Sequence, residues 1–177
     1  MFSLEDLDKS IRRVSDFPKP GILFYDITSI LVNPDAFKFC LDKMVEIYKD
    51  AKLDAIAAIE SRGFIFAAPL AEKLGIPLLL IRKKGKLPGE TYSCAYSLEY
   101  GTAEIEAHKA DIKKGANYLL VDDLIATGGT FKAGSEVIKQ GGGNVIECFG
   151  IIGLPDLKFR ESLAPLKVTT LIDYHGA

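Results

Sequence analysis

Residues 118–130 read YLLVDDLIATGGT, and their texture changes abruptly along the way. An apolar run ends in two adjacent carboxylates, Asp122 and Asp123. Ala126, Thr127, Gly128, Gly129 and Thr130 then follow with no lysine among them. Glycines and threonines where a strand passes into a helix turn backbone N–H groups and hydroxyls towards one point, and the helix N-terminus adds partial positive charge there. Such a point attracts an anion. A nucleoside-triphosphate loop brings a lysine to the outer phosphates, so a lysine-free version suits a single phosphate monoester. The two acids would repel that phosphate and must serve something else. Paired carboxylates are good acceptors for the vicinal hydroxyls of a ribose. These residue types therefore describe a holder for a phosphorylated pentose.

Two further clusters carry charge suited to phosphate chemistry: "ESRG", with Glu60, Ser61 and Arg62, and "RKKGK", with Arg82 and Lys86 at its ends. Arginine is apt because its planar fork meets two phosphate oxygens together. By residue type alone, 82–86 fits a solvated basic loop equally well, and Arg62 fits a solvent-facing residue at a strand end. His108 and His175 have no Cys, Ser or second His at useful spacing and are expected at the surface.

For the clusters to meet, the chain must bring them to one edge, and its periodicities provide for that. Ser3 and Asp6 mark a helix start with Leu4, Leu7 and Ile11 on one face, broken by "DFPKPG". "ILFYDITSIL" (22–31) reads as one extended segment. Asn33-Pro34 opens a helix carrying Phe37, Leu41, Met44, Val45 and Tyr48. Strands are expected at 53–60, 76–83, 117–122, 144–153 and 168–173, and helices at 63–75, 129–140 and near 157–164. Strands alternating with helices imply an α/β fold, a mainly parallel twisted sheet with helices on both faces. Ligands of such sheets bind beyond the carboxyl ends of the strands, and all three clusters fall at such ends.

Residues 84–115 differ. Tyr92, Cys94, Tyr96, Leu98 and Tyr100 alternate with polar residues, and Ala103, Ile105 and Ala107 alternate with Glu104, Glu106 and His108. This predicts a projecting β-hairpin hood with one face partly covered, its glutamates solvated. With 177 residues and 48% hydrophobic content, one domain spanning 1–177 is expected, residues 84–115 forming a flexible lid within it. A net charge of −2 offers no broad basic field for nucleic acid. No apolar run approaches the roughly 20 residues of a membrane span. The start, MFSLEDLDKSIRRV, is acidic early and is not expected to be a signal peptide. Cys40, Cys94 and Cys148 are odd in number and lack metal or redox spacing, so reduced thiols in a cytoplasmic protein are expected.

Residues 121–130 resemble, step by step, the signature of the type I phosphoribosyltransferases. "FPKPGILFYDIT" (17–28), "ESRGFIF" (60–66), "RKKGKLPGETY" (82–92), "SLEYGTAEIE" (97–106) and "LKFRESLAP" (157–165) extend the resemblance over nearly the whole chain, towards the family's adenine-using members. It implies transfer of the 5-phosphoribosyl group of 5-phosphoribosyl 1-pyrophosphate (PRPP) to adenine, giving AMP and pyrophosphate. It also implies Mg²⁺ carried mainly by PRPP, and a homodimer in which one cation of 82–86 reaches the neighbouring subunit's site. On this reading 126–130 cradle the 5-phosphate and Asp122 and Asp123 hold the ribose hydroxyls. Glu60, Ser61, Arg62, Arg82 and Lys86 face pyrophosphate, with a cis peptide expected at Glu60-Ser61. Backbone groups near Leu23 read the base, Phe24 stacks on it, and Ala126 and Leu154 form apolar walls. Glu99 handles the proton of the purine, while Tyr92 and Tyr100 close the lid and exclude water. By periodicity alone, Phe24 and Leu154 also fit ordinary core and Glu99 a solvated hairpin acid. A transferase for 6-oxopurines or orotate would need another base-reading set than "SLEYGTAEIE". A PRPP-sensing regulator would need a nucleic-acid-binding patch that is not visible. A nicotinamide-binding domain would need a G-x-G-x-x-G opening its first helix.

Overall fold

The computed structural model describes residues 2–97 and 101–176. Its centre is a run of parallel strands: β3 (Ala55–Ile59), β4 (Leu78–Lys83), β7 (Asn117–Ile125), β8 (Asn144–Gly153) and β9 (Lys167–Asp173). Parallel neighbours need crossovers. These are α4 (Arg62–Leu74), α5 (Gly129–Gln140) and the short α6 (Phe159–Leu163). The β5 (Thr91–Ser97) and β6 (Thr102–His108) hairpin joins the edge of this sheet, giving the order β5-β6-β4-β3-β7-β8-β9. The fold is α/β with helices on both faces, as the alternation implies.

Strand β7 displays the two-residue period that serves both faces. Leu119 and Val121 enter a core cluster with Phe66 and Leu70 of α4 and with Met44 of α3 (Pro34–Tyr48). Tyr118 and Leu120 enter a second with Phe131, Val137 and Ile138 of α5. Because both faces are covered, β3 is buried at all five positions and reads as the continuous apolar run AIAAI. Local signals set the helix ends. Asn33 Oδ1 accepts from the amides of Asp35 and Ala36, each at 3.2 Å, with Pro34 in the first turn. In α1 (Leu4–Ser10), Ser3 and Asp6 form a reciprocal capping box.

Two expectations are corrected. Residues 22–31 are not one extended segment. Only β2 (Leu23–Asp26) is strand; it pairs antiparallel with β1 (Arg12–Ser15) and is followed by the single turn α2 (Thr28–Leu31). The Asp26 side chain turns the chain by accepting from the amide and hydroxyl of Thr28 at 3.0 and 2.6 Å. Glu106 is not a solvated hairpin residue but is 2% exposed. Alternation assigned it to the polar face correctly, and residues 84–87 then fold over that face and bury it.

Candidate functional site

Strand register brings the carboxyl ends of β3, β4 and β7 level: Ile59 lies opposite Ile81, and Ala58 opposite Val121. Just beyond, Glu60, Ser61, Arg62, Lys83, Asp122 and Asp123 line one polar cleft of about 200 Å³. A roomier, largely apolar groove lies between α3 and α4, about 600 Å³, lined by Phe37, Leu41, Val45 and Leu70 among others. Its charged lining residues are Lys38, which pairs with Asp42, and Lys73, none of them at a strand end; the chemistry is placed in the cleft, at the carboxyl ends of the strands.

Asp123 is 2% exposed and is paired. Arg62 Nε donates to its Oδ2 at 2.6 Å, which fixes the arginine while leaving half of its side chain exposed to the cleft. Asp122 Oδ1 accepts from the Asp123 amide at 2.8 Å. Burial, and after it the charge of Asp123, pushes the Asp122 carboxyl well above the ordinary range. The doublet therefore repels an incoming phosphate less than two free charges would. The close fit of α4 against β7 depends on Gly63. A methyl there would stand 2.8 Å from the Val121 carbonyl oxygen and 3.0 Å from Asp122 Cα.

The loop after β7 turns through Gly128, whose φ of 84° is left-handed, and Gly129 opens α5. The first amides of a helix have no partner within it, so α5, whose first internal bond runs from the Lys132 amide to the Gly128 carbonyl, presents donors at residues 129–131, just after the loop 126–128. Thr127 Oγ1 accepts the Gly129 amide at 3.4 Å. The end of β5 lies against this loop: a methyl on Gly129 would be 3.8 Å from Tyr96 Cδ2 and 3.9 Å from the Ser97 carbonyl oxygen.

At the opposite wall the Glu60–Ser61 peptide is cis. Glu60 receives Arg82, through Nε at 3.2 Å and Nη2 at 3.3 Å, and the Lys83 amide at 2.9 Å. Burial pushes the Glu60 carboxyl up, but the Lys83 amide and Arg82 outweigh it and hold it below its usual value. Arg82 thus lies with its fork on Glu60 rather than extended into the cleft, and of the 82–86 cluster it is Lys83 that lines it, beside Arg62. Lys86 is exposed, four residues on. Sequence reasoning gave no separate role to Lys83; its position at the last residue of β4 was the available signal.

Of the residues expected around the base, Leu154 is 9% exposed and belongs to the larger core cluster, against which Leu23 and Ala126 pack. The Leu154 amide donates to the Ile125 carbonyl at 2.9 Å, which sets it beside Ala126. Phe24 stands apart, half-buried, with Phe17 edge-on at 5.0 Å between ring centres. The next residue, Tyr25, stacks on Tyr174 at 4.0 Å, so the C-terminal segment buttresses the strand that carries Leu23 and Phe24. Gly153 leaves no room for a side chain, since a methyl would fall 2.3 Å from Asp173 Oδ1. Tyr92 lies at the foot of the hairpin opposite Ala107, with Lys109 Nζ 5.4 Å above its ring. Glu99 and Tyr100 lie outside the described residues. His175 is exposed and pairs with Asp156 at 2.9 Å; His108 is half-buried at the end of β6.

Known proteins match over nearly the full chain. The phosphoribosyl transferase domain family matches residues 26–173. An adenine phosphoribosyltransferase from Treponema denticola is 61% identical over 98% of this chain and 93% of its own length. The crystal structure of adenine phosphoribosyltransferase from Thermoanaerobacter pseudethanolicus superposes with a TM-score of 0.93 at 41% identity, covering 97% of this chain and 100% of that one. The enzyme from Saccharomyces cerevisiae, solved with D-2,5-dideoxy-2,5-imino-altritol 1,6-bisphosphate and adenine, superposes at 0.89 with 38% identity, over 96% of this chain and 98% of that one. The chain belongs to the phosphoribosyl transferase family, among its adenine phosphoribosyltransferases.

Proposed function

We propose that the protein transfers the 5-phosphoribosyl group of PRPP to adenine, releasing pyrophosphate and forming AMP, a purine-salvage reaction. The observation that carries this is the polar cleft at the carboxyl ends of β3, β4 and β7. There the acid doublet, with Asp123 paired to Arg62, stands beside Glu60, Ser61 and Lys83, and from it β7 runs on into the lysine-free loop 126–130. The 5-phosphate sits on the amides and hydroxyls of Ala126, Thr127, Gly128, Gly129 and Thr130. Asp122 and Asp123 accept from the ribose 2- and 3-hydroxyls, and the charge that the doublet retains favours the positive character that develops at C1. As the base nitrogen bonds to C1, the C1–O bond to pyrophosphate breaks and its electron pair leaves with the pyrophosphate. Ser61, Arg62 and Lys83 at the cleft meet that leaving charge, with Lys86 of the adjoining loop and, once released from Glu60, Arg82.

The base lies between Phe24, Ala126 and Leu154, with the backbone near Leu23 offering an acceptor to its amino group. In hypoxanthine a keto oxygen would face that acceptor and leave both unpaired. The yeast relative's complex with adenine supports the base assignment. Purified protein with PRPP and Mg²⁺ is expected to release pyrophosphate with adenine and not with hypoxanthine, guanine or orotate; release with hypoxanthine alone would overturn it.

PRPP would carry Mg²⁺ mainly on its own oxygens and on water, as that ion prefers, with few ligands from the protein; Glu60 and Asp123 are already engaged by Arg82 and Arg62. When bound the ion supplies neutralisation of the phosphate charge. A second copy of the chain is part of the same reading: Lys83, Lys84 and Lys86 are exposed, so a cation of this loop is available to a neighbouring subunit's site. A cytoplasmic setting is supported by the three free thiols, of which burial pushes Cys40 and Cys148 up to about 12. No helix of the described residues is long and apolar enough to cross a membrane.

Asp123→Asn tests the sugar grip. It removes the charge that fixes Arg62 as well as an acceptor for a ribose hydroxyl, so PRPP affinity is expected to fall about tenfold, a loss of about 1.4 kcal/mol. Isothermal titration with PRPP reads this directly, and an unaltered affinity would exclude Asp123 from the site.

A further inference from the structure

We propose that Glu106 is a positioning residue for pyrophosphate, acting through the basic loop that it folds; this rests on the phosphoribosyl-transfer reading. Glu106 lies on β6, opposite Arg82 of β4 and Ser93 of β5. Its Oε1 accepts three successive backbone amides, Gly85 at 2.8 Å and Lys86 and Leu87 at 3.2 Å. Its Oε2 accepts the Thr91 hydroxyl at 3.0 Å and stands 3.5 Å from Lys84 Nζ. Consecutive amides converging on one anion form a nest of the kind that binds phosphate groups, and here the protein's own carboxylate fills it. Gly85, at φ 84°, makes the left-handed turn that such a nest needs.

The consequence reaches the cleft. With the amides of 85–87 turned inward, the side chain of Lys86 is left outside, exposed, while that of Lys84 reaches back to Glu106. At the other end Glu60 binds the Arg82 fork and the Lys83 amide. The segment 82–87 is thus fastened at both ends by carboxylates, and the cations that meet pyrophosphate project from a loop whose path is set. Without Glu106, three amides and a hydroxyl lose their common partner in a covered position, and the loop must open to water to satisfy them.

The test uses the full-length protein, calorimetric titration with magnesium pyrophosphate and with AMP, and amide hydrogen exchange. In Glu106→Ala, pyrophosphate affinity is expected to fall about tenfold while AMP affinity stays within about twofold, with faster exchange at Gly85, Lys86 and Leu87. Glu106→Gln keeps a carbonyl oxygen for the three amides and is expected to regain most of the pyrophosphate affinity. If Glu106→Ala remained folded and bound pyrophosphate as the wild type does, or lost AMP and pyrophosphate equally, the role would be overturned. A wild-type protein that bound neither ligand would instead sink the transferase reading, and this role with it.

Discussion

Glu99→Gln is expected to lower turnover by about 10²-fold or more while PRPP affinity stays within roughly twofold. Forming AMP requires adenine to give up the proton on its attacking nitrogen, and a positioned carboxylate is the group suited to take it. The acids that the described residues bring to the sheet edge are already engaged. Glu60 holds Arg82 and the Lys83 amide, Asp123 holds Arg62, Asp122 accepts the Asp123 amide, and Glu106 holds the loop 85–87. His175 is paired with Asp156. Residue 99 lies outside the described residues, but β5 ends at Ser97, and Ser97 lies against Gly129, the first residue of α5. The PRPP-holding set is complete without Glu99, which is why affinity should survive. Glutamine keeps the size and one acceptor oxygen and loses the charge and the ability to take a proton. Steady-state turnover, set against calorimetric PRPP affinity, separates the cases: unchanged turnover removes Glu99 from proton transfer, and a parallel loss of affinity makes its role structural.

What could be read from the sequence follows from which forces are local. Buried parallel strands must be apolar throughout, so the run AIAAI is enough to declare β3. Asn33-Pro34 and Gly75 declare the ends of α3 and α4 because caps act within one turn. Strand β1 was not legible. Arg12, Arg13, Val14 and Ser15 are mostly exposed and become strand only by pairing with Leu23–Asp26, a tertiary fact. The burial of Glu106 was hidden for the same reason: alternation gives the face of a residue, not what later folds over that face. At the site, residue type and position pointed to the acid doublet, which the structure places in the cleft with Arg62, Glu60 and Lys83. The state of Arg82 could not be read, because its parking on Glu60 depends on two strand ends meeting in space.

Gly63→Ala is expected to lower kcat/KM for PRPP by about 10²-fold, with little change in thermal stability. The residue is the second of α4, immediately after Arg62, and its Cα faces the end of β7. A methyl would stand 2.8 Å from the Val121 carbonyl oxygen and 3.0 Å from Asp122 Cα and Oδ1. Two of these three atoms are backbone and cannot rotate away as a side-chain tip would. Either the first turn of α4 withdraws, taking Arg62 off Asp123, or the end of β7 moves and Asp122 goes with it. Both groups are assigned to PRPP, and a misplacement of about 1 Å can cost about 10²-fold in rate. Stability responds differently. Overpacking costs about 1–3 kcal/mol, but alanine is favoured over glycine inside a helix by about 1 kcal/mol, which offsets much of it. The signature is therefore a variant that melts near the wild type yet works poorly, read by calorimetry and initial rates on the same preparation. Full activity in Gly63→Ala would mean that the contact between α4 and β7 does not set the position of the acid pair.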